Sequence, residues 1–519
     1  MIHVDAIKPV AELLDGQRRT RPTTIAFSDD ARSVDYDELW QRTGQLARHL
    51  VHLVSNAGER GLILMTNRVE VAESYLALTR ASLVAVCVNG AAAEPEVAYQ
   101  LDHSGARVVL TDADHLDMVA SLRQTRPDLV VVVVGDDPAL HQSTDLHGYE
   151  QLATTAPAMA GRPIDTLGLD ETAYLLYTSG TTGRPKGVML TQRSLLWVVA
   201  TCWSPILGIG PGERLLSPLP LFHSYALDLC VLGIVATGAS VHLMARFTTD
   251  GVLEHLRAGG FTVLAGVPTM FQYLLNATAV TESFPDLTRC VTAGAIMPGS
   301  VNTAFEERFG VTLLDGYGIT ETSTMVAMNW PNSARVPGSC GFAVTGVGIR
   351  LVDPGTGRDV GTGVDGEVWV SGPGVMQGYF DNPEATEAVL TDGWYHTGDL
   401  ARRDDNGFLT ISGRTKELII RGGENIYPAE VEAAILLAPG VADAAVVAAP
   451  HPQLGEVPVA FVVPEPGTTL DIEGILATVA GQLTSFKVPA EIHQADAIPR
   501  TGSGKTKRFE LQARLPHDQ

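Results

Sequence analysis

The apolar positions of this chain alternate between two textures. Short runs with almost no polar interruption, Gly61-Leu-Ile-Leu-Met65, Leu83-Val-Ala-Val-Cys-Val88, Arg107-Val-Val-Leu110 and the six residues 129–134, have the length of buried strands. Between them lie stretches with helical spacing, such as 69–80. Strands alternating with helices predict parallel sheets covered by helices, and the pattern returns from about 188 to 314. From about 335 to 410 glycines come often, separated by short runs such as Gly366-Glu-Val-Trp-Val370. That spacing predicts strands joined by tight turns, a small β-rich subdomain or barrel. After Gly413 the α/β pattern resumes, with a helix expected over 428–437 and strands over 444–448 and 460–463. The expected fold class is α/β: a large N-terminal domain, 1–413, of two α/β subdomains plus a small β-barrel-like subdomain, then a small α+β C-terminal domain, 414–519. The boundary falls near 414–416.

Length supports this division, because 519 residues exceed one hydrophobic core. The net charge of −23 argues against a general nucleic-acid binder, which needs clustered Lys and Arg, and against an anionic membrane surface. A local basic patch can still serve a phosphate. The five cysteines (Cys87, Cys202, Cys230, Cys290, Cys340) are scattered without a C-x-x-C pair, so neither a zinc site nor a disulfide framework is expected and a reducing cytoplasm is the default. The first residues lack the basic-then-apolar order of a signal peptide, and the six-residue run 129–134 is too short to span a bilayer.

The strongest local signal is Tyr177-Thr-Ser-Gly-Thr-Thr-Gly-Arg-Pro-Lys-Gly187, directly after an apolar strand-like run. Gly180, Gly183 and Gly187 let the backbone turn and present N–H groups to an anion. Thr178, Ser179, Thr181 and Thr182 add hydroxyl donors, and Lys186 adds a mobile positive charge. Together these suit the β- and γ-phosphates of a nucleotide. The spacing is not that of a P-loop. Gly502-Ser-Gly-Lys-Thr506 is not one either, because the position that needs its first glycine holds Pro499.

Taken with the motifs that follow it, this loop resembles that of the adenylate-forming superfamily of acyl-CoA synthetases, peptide-synthetase adenylation domains and luciferases. The motifs are Tyr317-Gly-Ile-Thr-Glu321, Tyr395-His-Thr-Gly-Asp399, Gly413-Arg-Thr-Lys416, Glu417 to Pro428, and Pro499 to Lys505, in family order over 173–505. The resemblance implies ATP and Mg²⁺ as cofactors. It implies that Gly316, Tyr317 and Thr320 line the nucleotide site with the loop, and that Thr320 and Glu321 hold ATP and its metal, Thr178 adding a metal ligand. A hard cation wants such oxygens. Asp399 would accept hydrogen bonds from the ribose hydroxyls, assisted by Arg414. Lys505 would bridge the substrate carboxylate and the α-phosphate, where negative charge grows in the transition state. Lys416 would be the hinge of a mobile C-terminal domain.

The acid pocket is expected around Leu219-Pro-Leu-Phe-His-Ser-Tyr-Ala-Leu-Asp-Leu-Cys-Val-Leu-Gly233, where His223 resembles the His of acyl-CoA ligases. Asp228 is the odd residue. The helix expected over 225–236 is apolar almost all round, so it should be buried, and no Lys or Arg lies one turn away. A buried carboxylate is costly without a partner. A substrate ammonium group is one candidate partner, and a residue distant in sequence is the other. Amino-acid adenylation domains carry their amine-binding Asp where this chain has Ser224. An Asp displaced by four residues resembles the standalone β-amino-acid adenylation enzymes of macrolactam polyketide biosynthesis, which load an acyl carrier protein. Tyr225, Gly294, Ala295, Ile296, Gly318, Ser323 and Met325 would complete the pocket. Two other assignments stay open: an acyl- or aryl-CoA ligase, with CoA as the thiol acceptor, and a non-catalytic nucleotide-binding relative. Retention of Glu321, Asp399 and Lys505 speaks against the second.

Overall fold

The computed structural model describes residues 2–135, 146–159, 161–178, 184–278, 282–501 and 505–515. Two large sheets carry the α/β pattern. In the first, six strands run parallel in the order Thr312–Ile319, Arg289–Thr292, Val263–Gly266, Arg214–Ser217, Ser240–Leu243 and Ile25–Ser28. Antiparallel strands close both edges: Thr324–Met328 and then Phe342–Ala343 on one side, Ser33–Asp35 on the other. In the second, six parallel strands, Thr172–Thr178, Val84–Cys87, Arg60–Leu64, Val108–Asp112, Val130–Val134 and Leu146–Gly148, are extended by the antiparallel strands Lys186–Thr191 and Gly378–Tyr379. The runs read as buried strands are such strands, because a parallel strand covered on both faces has no polar side to show.

The helix Val69–Arg80 is buried along its whole length between these layers. Its packing uses ion pairs as well as apolar contact. Arg42, on the helix Tyr36–Leu53, donates to the buried Glu73 at 2.7 and 3.1 Å and to Glu150 at 2.8 and 2.9 Å.

The glycine-rich stretch folds as an antiparallel sheet of Gly348–Val352, Gly366–Ser371, Trp394–Arg403, Leu390–Thr391 and Leu409–Arg414. The chain leaves this sheet at Arg414, makes the short turn Thr415–Glu417, and enters a fourth sheet of Ile419–Arg421, Glu424–Ile426, Val441–His451, Gly455–Pro464 and Glu491–Gln494. Helices Pro428–Ile435 and Ile472–Gln482 pack on it around their own apolar cluster. The whole is a mixed α/β fold with a large N-terminal and a small C-terminal part. No helix among the described residues is long and apolar enough to cross a membrane.

The expected helix over 225–236 departs from regular geometry. It runs as Ser224–Ala226, a π-helical stretch Leu227–Leu232, and Gly233–Thr237. The helix packed near it, Gln192–Val198, also passes into a π-helical stretch, Val199–Leu207, which contains Pro205. A proline has no N–H for the regular ladder, and π-stretches recur at functional sites.

Candidate active site

The motif residues converge on one cleft, each from the end of a different element. Strand Thr172–Thr178 pairs with Lys186–Thr191, placing Thr178 opposite Lys186 at the neck of the loop. Ser179, Gly180, Thr181, Thr182 and Gly183 lie outside the described residues. Lys186 Nζ sits 4.8 Å from the centre of the Tyr379 ring. Thr178 Oγ1 donates to Glu321 Oε1 at 3.3 Å, and Tyr379 OH donates to the same oxygen at 3.2 Å. The loop neck and the acidic motif therefore meet directly.

Glu321 lies in the short turn Thr320–Thr322 between strands Thr312–Ile319 and Thr324–Met328. Gly318 makes this hairpin possible: a Cβ there would stand 1.6 Å from the Thr324 carbonyl oxygen. Gly316 precedes it on the same strand, where a Cβ would press 2.8 Å from Met325 Sδ. Ser323 and Thr324 take positive φ, 56° and 104°, as the chain reverses. Thr320 Oγ1 is 3.3 Å from Ser224 Oγ, joining the acidic turn to the expected acid pocket.

Asp399 ends the Tyr395–Asp399 motif and is 4% exposed. Tyr317 OH donates to its Oδ2 at 2.7 Å, and Arg414 Nε lies 2.8 Å from Oδ1. Strand register sets the second contact, since Asp399 and Arg414 are paired across neighbouring strands. The Asp399 charge raises Arg414 above its ordinary value, so the guanidinium stays charged.

Lys505 reaches this same cleft from the C-terminal part. A turn holds it: Thr501 N donates to the Lys505 carbonyl at 2.7 Å, and Lys505 N donates to Thr501 Oγ1 at 3.1 Å. Arg500 anchors the turn on Asp443 at 2.8 Å. Enclosure and the Arg414 charge lower the Lys505 ammonium below its ordinary value, while Asp399, Glu321 and Glu417 pull the other way. His223 is lowered to about 3 by its enclosure and by the Lys505 charge, so it is neutral at physiological pH. Lys416 lies exposed in the turn Thr415–Glu417, one position beyond the residue that follows Arg414.

The expected acid pocket lies beyond Ser224. Tyr225 stacks on Trp203 with ring centroids 5.8 Å apart, and its hydroxyl donates to the Val291 carbonyl at 3.2 Å. Gly294, Ala295 and Ile296 follow two residues after the strand that carries Val291, with Gly294 at a positive φ of 89°. Ser323 and Met325 are buried at the other wall, and the Ser323 hydroxyl has no partner among the described residues. Asp228 is fully buried. Its Oδ2 accepts from Trp203 Nε1 at 2.6 Å and from Thr324 Oγ1 at 3.1 Å, so the partners are residues distant in sequence. Its Oδ1 is buried without a partner among the described residues. Burial pushes this carboxyl well above the usual range, outweighing both hydrogen bonds. Sequence reasoning missed Trp203, Thr324 and Tyr379. The first sits in an apolar run and carries no signal. Thr324 lies three residues past the acidic motif, and Tyr379 follows Gly378 on an edge strand.

An acidic turn against Thr178 at the loop neck, a carboxylate clamped by a tyrosine and an arginine, and a lysine delivered from the C-terminal part together fit a nucleotide-dependent, acid-activating class. The comparisons agree. Residues 14–380 match the AMP-binding enzyme family and residues 430–505 match its C-terminal domain. The chain belongs to the AMP-binding enzyme family and is an adenylate-forming ligase by class. It is 35% identical to a feruloyl-CoA synthase from Amycolatopsis sp, over 96% of this chain and 97% of the relative, and 34% identical to 4-coumarate-CoA ligase 2 of Narcissus pseudonarcissus, over 98% and 92%. It is also 37% identical to a naringenin synthase of Pestalotiopsis fici, of whose length it spans 18%. A benzoate CoA ligase from Burkholderia xenovorans LB400 superposes with a TM-score of 0.88 at 28% identity, covering 97% of this chain and 99% of that one. ATP-bound MatB from Rhodopseudomonas palustris superposes at 0.87 with 31% identity, covering 97% and 98%.

Proposed function

We propose that this chain uses ATP to convert an aromatic carboxylic acid into its CoA thioester through an acyl-adenylate. The observation that carries the proposal is the meeting of Lys505 with Glu321, Asp399 and Arg414 in a single cleft. In this reading Thr178, the loop 179–183 and Lys186 take the terminal phosphates. Asp399, oriented by Tyr317 and Arg414, accepts the ribose hydroxyls. Glu321 with the hydroxyls of Thr178 and Thr320 is a hard oxygen set that fits Mg²⁺, which when bound would neutralise phosphate charge. The substrate carboxylate oxygen forms a bond to the α-phosphorus as the bond to pyrophosphate breaks. Lys505 offers its ammonium where charge grows on the phosphoryl oxygens. The thiol sulfur then bonds to the acyl carbon and AMP leaves, with Lys416 as the pivot between the two steps. The small-molecule partners are therefore the acid, ATP and CoA.

The aromatic substrate is supported by the Trp203–Tyr225 stack and by the relatives, which are named for feruloyl, coumaroyl and benzoyl acids. They favour a CoA ligase over a carrier-protein loader. A β-amino acid passed to an acyl carrier protein remains the second reading, because Asp228 Oδ1 is buried with no partner among the described residues. A neutral carboxyl, however, attracts an ammonium group only if binding ionises it. A pyrophosphate-release panel separates the two. It pairs aromatic acids with β-amino acids and their des-amino counterparts, each with CoA or a pantetheinylated carrier protein. Aromatic acids with CoA should give the highest kcat/KM. A clear preference for the amine-bearing acid and the carrier protein would replace the first reading with the second.

A further inference from the structure

His242, His255 and Asp30 come together on a face that the adenylation cleft does not use. His242 is on the strand Ser240–Leu243, His255 on the helix Thr249–Ala258, and Asp30 in the turn after the strand Ile25–Ser28. One ligand atom from each lies within 4.8 Å of the others. Asp30 Oδ1 is 3.3 Å from His242 Nε2 and 3.6 Å from His255 Nε2. In a tetrahedral zinc site with bonds of about 2.0–2.1 Å, ligand atoms stand roughly 3.3–3.4 Å apart. The first distance matches that edge and the second is slightly longer.

Three further features suit a metal. His242 is 6% exposed, and Asp30 Oδ1 faces its Nε2 at 3.3 Å. Its Nδ1 is 3.1 Å from Ser28 Oγ, which itself donates to the Val241 carbonyl at 3.4 Å. With the Ser28 hydroxyl proton on that carbonyl, Oγ is free to accept from Nδ1–H, the tautomer that a metal on Nε2 would select. The turn carrying Asp30 is also fixed in advance: Asp29 accepts from Ala31 N and Arg32 N at 2.8 Å and from Val69 N at 2.9 Å. Two imidazole nitrogens and a carboxylate oxygen converge here as three donor atoms that a divalent cation can bridge. The neighbouring Arg214 guanidinium lies over the Phe261 ring instead, 4.2 Å from the centroid.

We propose that His242, His255 and Asp30 form a binding site for a borderline divalent metal such as Zn²⁺, with one coordination position left to water. Two imidazoles and a carboxylate suit such an ion better than Mg²⁺ or Ca²⁺. The five buried cysteines offer it no competing exposed thiol.

The test uses the tag-free full chain, stripped with chelator, in the absence of nucleotide. Titration with Zn²⁺ alone should show one equivalent bound, and Co²⁺ alone should give the visible absorption of a tetrahedral site. His255→Gln, at a half-buried position, and Asp30→Asn, at an exposed one, should each weaken Zn²⁺ binding at least tenfold while leaving the circular dichroism and ATP-dependent pyrophosphate release unchanged. Glu321→Gln should leave Zn²⁺ binding intact, separating this site from the cleft. Absence of stoichiometric binding, or wild-type affinity in either His255→Gln or Asp30→Asn, overturns the proposal.

Discussion

The indole N–H of Trp203 donates to Asp228 Oδ2 at 2.6 Å, and both residues sit in π-helical stretches that pack against each other. The contact fills one oxygen of the carboxyl and leaves the other without a partner among the described residues. Burial pushes that carboxyl well above the usual range, toward its neutral form. Asp228→Asn is therefore close to isosteric with the residue as it stands. With an aromatic acid that has no amine, kcat/KM should change by no more than about threefold, and Trp203→Phe should cost more. If the substrate carries an ammonium group, Asp228→Asn should instead cost about 3–5 kcal/mol of transition-state binding, the range for breaking a buried ion pair. Steady-state pyrophosphate release with both classes of acid decides the matter.

That relationship also marks where the sequence stopped being informative. The oddness of Asp228 was legible, because a carboxylate in an apolar helix needs a partner. The partners were not. Trp203 is 25 positions away on another helix and Thr324 is 96 away on a strand, and neither spacing has a period. The strands of the two large sheets were legible because burial on both faces leaves continuous apolar runs. The clamp on Asp399 was half legible: Asp399 and Arg414 stood in recognisable motifs. Their 2.8 Å contact comes from strand register, which no local pattern encodes. The π-helical geometry was invisible, since its apolar composition also fits a regular helix.

Removal of the Lys505 ammonium should separate the two half-reactions. Lys505→Ala should lower acid-dependent ATP–pyrophosphate exchange by about 10²–10³, the usual loss when one transition-state charge stabiliser is removed. Thioester formation from preformed acyl-adenylate should fall by less than about threefold, because that step does not develop charge beside Lys505. Equal losses in both assays would place the role of Lys505 elsewhere.

The pH dependence follows from the same side chain. Enclosure and Arg414 lower Lys505 below the ordinary lysine value of 10.5. The ammonium is the useful form, so activity is complete below the shifted value and is lost as pH rises through it. The kcat/KM of adenylation, which reports free-enzyme groups, should show an alkaline limb below that of an exposed lysine. Lys505→Arg, charged across the accessible range, should remove the limb even at a lower absolute rate. A limb that persists in Lys505→Arg belongs to another group.

Tyr317 donates to Asp399 at 2.7 Å within a buried clamp. Tyr317→Phe removes one donor from a carboxylate that keeps Arg414. A hydrogen bond to a charged group is worth about 1.5–3 kcal/mol. The KM for ATP should rise roughly tenfold, with a smaller change for a 2′-deoxy nucleotide that makes less use of Asp399. Loss confined to kcat would indicate that Tyr317 does not act through the ribose site.

Gly318 is the structural pivot that keeps the acidic turn and the acid pocket in register. An alanine Cβ would stand 1.6 Å from Thr324 O, 2.3 Å from Thr324 C and 2.9 Å from Met325 Cα, all backbone atoms. No rotamer change relieves such a clash, so the hairpin must open. Thr324 would then lose its hold on Asp228, and Glu321 its place beside Thr178. Gly318→Ala should destabilise the protein by about 3 kcal/mol or more, in the range reserved for overpacked cores. Gly16→Ala is the matched control, because it adds a Cβ to the helix Val10–Thr20 with nothing within 4 Å. That change should stabilise by about 0.5–1 kcal/mol. Urea unfolding of the two variants side by side measures both effects, and equal midpoints would show that the hairpin tolerates a side chain at Gly318.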